Sequence, residues 1–174
     1  MLNVMLDLET MGNGPDAAII AIGVVEFDIA EKAIGSEFSV NVDLESSVKA
    51  GGVMDASTVM WWMRQSDQAR SAFERQGERI EVALHLFSQW MASRGPRKDV
   101  LVWGNGAAFD NVILASAYRH LSIAPPWIFW NDRCYRTIKA QHPAITMDRS
   151  GTHHNALDDA RSQALHLIAM LGTN

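Results

Sequence analysis

An α/β or α+β domain around a mixed sheet is the fold class the sequence predicts, and three observations carry that prediction. Three strand-like runs follow one another early in the chain with short connections between them. A fourth apolar run comes only after a long helical stretch, and further helical segments follow it. The 174 residues, 48% of them hydrophobic, are enough for one ordinary domain with a sizeable core.

Each element has its own signal. Residues 2–8, "LNVMLDL", are a short apolar run expected to be a buried strand. The glycines and proline of "GNGPD" (12–16) mark a loop. Residues 17–28 predict a long second strand, bent near Gly23, and the alternation of "EFSVNVD" (37–43) predicts a third. Short connections favour an antiparallel meander of the three. Asp55 or Ser57 suits the cap of a helix containing "TVMWWMRQ", and Asp67 that of a helix over "QARSAFER". Ile80, Ala83, Leu84, Phe87, Trp90 and Met91 repeat at helical spacing, predicting a long helix over 78–93 that Gly95-Pro96 stops. "DVLVWG" (99–104) is apolar throughout, as a central strand should be. A helix is expected over 110–121, with Phe109 in the core and Tyr118-Arg119-His120 as its polar end. A short strand or helix is expected around 132–141, and a last helix from about Asn155 to Leu171.

Composition excludes several classes. With charged residues at 20% and so large an apolar fraction, the chain is expected to fold. No apolar run reaches the ~18 residues of a membrane span, and the N-terminus lacks the basic region and cleavage site of a signal peptide. The lone Cys134 excludes an internal disulfide and a cysteine-built metal site, so a cytoplasmic, reduced setting is expected. A net charge of −5 argues against coating nucleic acid by bulk electrostatics, though not against gripping a strand end.

Three short stretches carry acids that suggest chemistry. In "DLET" (7–10), side chains two apart on a strand share a face, so Asp7 and Glu9 would stand together. Either the strand ends at Asp7 and both acids are solvated, or a divalent cation offsets the cost of burying them. In "NGAAFD" (105–110), Asp110 is either a helix cap or a carboxylate at the C-terminal end of a central strand. In "THHNALDDA" (152–160), two histidines precede two aspartates, which could simply meet a helix macrodipole. Taken together, four carboxylates and a loop histidine suit two-metal phosphodiester hydrolysis, the histidine taking a proton from water near neutral pH.

"DLET", "NGAAFD" and "HNALDDA", in that order, resemble the three motifs of the DnaQ-like DEDDh family of 3′–5′ exonucleases. "DLETMGNGPDAAII" and "STVMWWMRQSDQAR" look like the branch of phage exonuclease A, mycobacterial exoribonuclease relatives and exodeoxyribonuclease VIII-like proteins. The resemblance implies a ribonuclease H-like fold, a mixed five-stranded sheet flanked by α-helices, with residues 1–174 as a single 3′–5′ exonuclease domain. It also implies two divalent ions, Mg²⁺ or Mn²⁺, action on single-stranded 3′ ends of DNA or RNA, and release of 5′-mononucleotides.

Carried onto this chain, the resemblance makes Asp7, Glu9, Asp110 and Asp159 metal ligands and His154 the general base. Thr10, Met11 and Gly12 would lie along the terminal nucleotide. Gly106 stands where many relatives have asparagine, so a substrate contact of that kind would fall to Asn105. Trp61 and Trp62 point about 100° apart on a helix, so one could stack on a base while the other serves the core. Helix phase does not separate Asp158 from Asp159: they lie roughly 140° and 120° from the centre of the apolar arc. The family pattern His-x-Ala-Leu-x-Asp-Ala selects His154 with Asp159, leaving His153 and Asp158 as the alternative register. The runner-up activities are RNA trimming of the RNase T or oligoribonuclease kind and a non-catalytic nucleic-acid-binding module. Analogy with RNase T adds a homodimer.

Overall fold

Every strand of the sheet is placed by β1 (Leu2–Thr10), the centre of the computed structural model, which describes residues 1–70, 73, 76–149 and 151–172. On one side it pairs antiparallel with β2 (Ile19–Asp28), which in turn pairs antiparallel with β3 (Ala33–Asn41). On the other it pairs parallel with β4 (Val100–Gly104), and β4 pairs parallel with β5 (Asp132–Cys134). The five-stranded order is β3-β2-β1-β4-β5, the expected mixed sheet with the expected meander.

Helices cover both faces. They are α1 (Leu44–Lys49), α2 (Ala56–Trp62), α3 (Asp67–Arg70), α4 (Ile80–Arg94), α5 (Asp110–His120), α6 (Tyr135–Gln141) and α7 (Ala156–Leu171). The period-2 rule sorts β1 between the two layers. Val4, Leu6 and Leu8 join the core built with Leu84 and Phe87 of α4 and Leu114 of α5. Met5 faces the other way, into the core built by Ala160, Ala164 and Leu167 of α7 with Tyr135 of α6. Asp7 and Glu9 follow Met5 in that alternation and therefore face α7. Among the described residues, no helix is long and apolar enough to cross a membrane.

Several expectations are corrected. Gly23 does not mark a bend; the irregularities in β2 lie between Val25 and Phe27 on its β3 side and at Ile20, opposite Glu9 and Thr10, on its β1 side. A Cβ on Gly23 would stand 2.2 Å from the backbone carbon of Ala156, so its bareness lets the start of α7 rest on the sheet directly opposite Asp7. β3 starts at Ala33, ahead of the expected 37. α1 was not anticipated; it is too short for a readable apolar period and depends on Asp43, whose Oδ1 accepts from the Ser46 amide at 2.8 Å. Asp67 lies inside α3, and Ser66 Oγ accepts from the Ala69 amide instead. Part of the helix expected over "QARSAFER" lies outside the described residues. Tyr118 is not part of a polar helix end: it is fully buried, and its hydroxyl donates to the Leu84 carbonyl at 2.8 Å. Residues 132–141 prove to be strand and helix in succession.

Candidate active site

The acids of the three stretches meet at one end of the sheet. β1 continues to Thr10, so Asp7 and Glu9 are strand residues and not a solvated strand end. Glu9 is buried, and Asp7, half-buried, is held through its Oδ1 by Gln163 Nε2 of α7 at 2.7 Å. Carboxylate oxygens of Asp7, Glu9 and Asp159 all lie within 4.8 Å of one another.

Asp110 completes the group from the C-terminal side of β4. It does not cap α5 but is the helix's first residue, 2% exposed. Its Oδ1 accepts the backbone N–H of Leu8 at 3.2 Å, which ties it to the strand segment between Asp7 and Glu9. Its Oδ2 is buried and, among the described residues, has no hydrogen-bond partner.

Electrostatics shows what the cluster lacks. Burial, with Asp110, Glu9 and Asp159 close by, holds the Asp7 carboxyl well above the usual range. Burial, reinforced by Asp159 and Asp110, pushes Glu9 up to about 8. Burial raises Asp110 to about 7, against the downward pull of the Leu8, Asp110 and Asn105 backbone and of Arg136. Four acids so arranged repel one another and call for cations. The oxygen-only donor set and the unpartnered Asp110 Oδ2 fit a hard divalent ion such as Mg²⁺ or Mn²⁺.

α7 and the segment before it set the register of "HHNALDD". Asn155 caps α7, its side chain accepting from the Asp158 amide at 3.2 Å. Asp159 is buried against the acids of β1. Asp158 instead accepts from the Thr152 amide at 2.9 Å and from Arg161 at 2.8 Å, which also holds Glu37 of β3. Asp159 is thus the acid in the cluster, and Asp158 ties the preceding loop to the helix.

The histidines are less sharply separated. Ring nitrogens of both His153 and His154 lie within 4.8 Å of an Asp159 oxygen. His153 is exposed, however, while His154 is half-buried. His154 donates its backbone N–H to Asp159 Oδ2 at 2.9 Å and has a left-handed φ of 64°. Its ring meets the Trp61 indole edge-on, centroids 4.8 Å apart. Burial, helped by His153, lowers its pKa, which favours the neutral imidazole at pH 7.

The remaining candidates divide between support and surface. Trp62 is buried, and its indole N–H donates to the Thr10 carbonyl at 2.9 Å, so it props the 10–12 segment from behind. Trp61 is 40% exposed beside His154 and is the one with a face to offer. Thr10 Oγ1 donates to the Gly12 carbonyl at 2.7 Å, and Met11 is buried against Trp62. A Cβ on Gly12 would stand 2.8 Å from the Val53 carbonyl oxygen, so nothing larger fits. Asp55 leads into α2 but makes no side-chain cap; its Oδ2 accepts from the Asn13 amide at 2.8 Å, closing the loop beside Gly12. Asn105 sits beside Asp110, its carbonyl accepting from Arg136 Nη2 at 2.7 Å.

Sequence reasoning missed Gln163 and Arg149. Gln163 lies one helical turn after Asp159, and the buried polar series Asp159, Gln163, His166 was its readable signal. His166 extends that stripe, bonding the Tyr135 hydroxyl at 2.7 Å and the Ile145 carbonyl at 2.8 Å. Arg149, whose Nη1 donates to Asp159 Oδ1 at 2.7 Å, lies in an irregular segment with no motif to mark it.

Comparisons with known proteins bear on the family and the fold. The model of the family described as "3′–5′ exoribonuclease Rv2179c-like domain" matches residues 2–171. An exodeoxyribonuclease of Enterobacteria phage T4 is 26% identical over 168 residues, covering 79% of this chain and 70% of that protein. Among solved structures, the nuclease domain of 3′hExo, described as a DEDDh family member bound to rAMP, superposes with a TM-score of 0.65. It is 18% identical, over 98% of this chain and 91% of that one. E. coli exonuclease I in complex with a dT13 oligonucleotide gives a TM-score of 0.61 at 14% identity, over 97% of this chain and 40% of that one.

Proposed function

Because the chain belongs to the Rv2179c-like 3′–5′ exoribonuclease family and is a 3′–5′ exonuclease, we propose that it works through two divalent ions and a histidine base on single-stranded 3′ ends. The observation that carries the reading is the set of mutually repelling buried acids, with Asp110 Oδ2 left without a partner. Residues 1–174 act in it as one exonuclease domain, in a cytoplasmic setting that suits the lone Cys134.

Asp7, Glu9, Asp110 and Asp159 hold the ions. When bound, these supply charge neutralisation at the scissile phosphate and activation of water. Gln163 fixes the Asp7 carboxylate through Oδ1. Arg149 offsets the charge of Asp159 through Oδ1. His154, neutral near pH 7, accepts the proton of the attacking water. Thr10, Met11 and Gly12, with Trp62 behind them, form the floor under the terminal nucleotide, and Asn105 borders it. Trp61 stacks on a base. The reading extends to a homodimer, for which exposed Phe129 and Trp130 offer an aromatic surface; light scattering at micromolar concentration tests it, and a monomer throughout removes it.

The family description names RNA and the phage relative's name points to DNA, so the decisive assay carries both. Single- and double-stranded DNA and RNA oligomers, labelled at either end, are incubated with Mn²⁺, Mg²⁺ or EDTA. The expected result is stepwise shortening of 5′-labelled single strands from the 3′ end, stopped by EDTA. Internal cuts, or no hydrolysis of any oligomer with either metal, would overturn the reading, and the second result would favour a binding module.

A further inference from the structure

A groove of about 760 Å³ opens beside the acids, running from Asn105 along α6 to Arg149. Its charge is opposite to that of the chain. The protein carries 20 acids against 15 Lys and Arg, yet Arg136, Lys139 and Arg149 all line this groove and, among the described residues, none that lines it is acidic. His142 adds a titratable ring with its Nδ1 3.0 Å from the Ile138 carbonyl. Arg136, Lys139 and His142 follow at intervals of three, on one side of α6 and just past its end, about 4.5 Å apart along the axis.

The groove joins the acid cluster at both ends. Arg136 bonds the carbonyl of Asn105, the first residue of the 105–109 loop that delivers Asp110, and its guanidinium passes over Gly106. That glycine has φ of 111°, and a Cβ there would come within 3.5 Å of the guanidinium carbon. Arg149 bonds Asp159 itself. Among the described residues, neither Arg136 nor Lys139 forms an ion pair, and both are exposed. Two cations outside any ion pair, with Arg149 beyond them, lead away from a phosphodiester-cleaving centre and suit a polyanion with regularly spaced charges.

We infer that the Arg136–Lys139–His142–Arg149 groove binds the backbone phosphates of the single strand on the 5′ side of its terminal nucleotides. This rests on the exonuclease reading for its direction, and it assigns the strand's path to α6 and the segment after it. The segment is itself anchored: His166 of α7 bonds the Ile145 carbonyl and the Tyr135 hydroxyl, so the groove wall is tied to the helix that carries Asp159.

The test measures binding, so that it stands apart from turnover. Anisotropy of fluorescein-labelled DNA and RNA dinucleotides and octanucleotides is followed with Ca²⁺ present to neutralise the carboxylates. Lys139→Gln should raise the octanucleotide Kd about 5-fold and the dinucleotide Kd less than about 2-fold. It should also flatten the log Kd against log salt slope by about 0.7, the loss of one phosphate contact on a single strand. Lys139→Arg should restore both values, and Arg136→Gln with Lys139→Gln should reach about 20-fold. Equal effects on DNA and RNA identify the phosphates as the recognised group; an effect on one alone assigns the groove to that strand. Lys98→Gln, the same charge change at an exposed site before β4, should change nothing. An unchanged octanucleotide Kd in the double variant, or an equal change from Lys98→Gln, would overturn the groove. A parallel digestion of the wild type with Mn²⁺ keeps the two readings apart. Binding that weakens as expected without hydrolysis removes the exonuclease reading and leaves the groove, whereas hydrolysis with unweakened binding does the reverse.

Discussion

The acid side and the histidine side of the site are built in opposite ways. Asp7 and Glu9 project from the central strand, and Asp110 is tied to that strand by the Leu8 amide. His154 stands on the irregular stretch before α7, half-exposed, with a left-handed backbone. Asp159 belongs to both: it lies in the first turn of α7 among the acids, while its two oxygens are taken by Arg149 and the His154 amide. Groups that hold cations need fixed, converging oxygens, which sheet and helix ends supply. A group that accepts and passes on a proton gains from a segment free to move.

The largest expected effect breaks the doubled motif in two. Asp159→Asn should lower kcat by about 10³-fold or more, as loss of an ion-holding group. Asp158→Asn should lose less than about 10-fold and cost about 1–2 kcal/mol of stability, since it frees the Thr152 amide and Arg161. Single-turnover hydrolysis and thermal melts read the two quantities, and equal losses of activity would dissolve the distinction.

His154→Ala comes next and sharpens the division of labour. It should reduce kcat by about 10²–10⁴-fold, the range of general-base catalysis. Titration calorimetry with Mn²⁺ should show affinity within about 3-fold of the wild type. A collapse of Mn²⁺ binding would move His154 to the ligand side.

The tryptophan pair repeats the contrast on one helix. Trp61→Ala should raise KM about 10-fold, the loss of one base-stacking contact, and leave the melting temperature nearly unchanged. Trp62→Ala should instead destabilise by about 3–5 kcal/mol, because it empties a buried site and frees the Thr10 carbonyl. Reversed roles in steady-state kinetics and melts would relocate the stacking face.

The smallest effect is a pH dependence of stability confined to the acid side. Glu9 at about 8 and Asp110 at about 7 bind protons more tightly folded than unfolded. Their contribution is therefore complete below the ordinary carboxylate range and is lost as pH rises through about 7 to 8. Without metal, the melting temperature should fall between pH 5 and 8, each kcal/mol counting for about 2–4 °C. Mg²⁺ should recover more of it at pH 8 than at pH 6, because ion binding requires the deprotonated acids. A metal-free protein that grows more stable over that range would contradict the burial of these groups.

The acid side was legible in the sequence because its geometry is local. Period 2 on a strand puts Asp7 and Glu9 on one face whatever else the chain does, and a strand end followed by a helix places Asp110. The same local rules gave the meander, the long α4 and the extent of α7. The register of "HHNALDD" was not legible by phase, because Asp158 and Asp159 lie almost symmetrically about the apolar arc. Resemblance to a family selected Asp159. The fold supplies the physical reason, because α7 meets the sheet over Gly23, which turns Asp159 toward Glu9 and leaves Asp158 to Arg161.

By itself, then, the sequence determined the elements, the alternation on β1 and the acids that chemistry would need, all of which depend on neighbours within a few residues. Only the tertiary structure decided what joins them. It turned Gly23 from a bend into a helix seat and set Gln163 on Asp7 across 156 positions of chain. It brought Arg149 from an irregular segment onto Asp159 and separated an exposed Trp61 from a buried Trp62. Those outcomes depend on which surfaces pack together, and packing between distant segments leaves no period in a sequence to read.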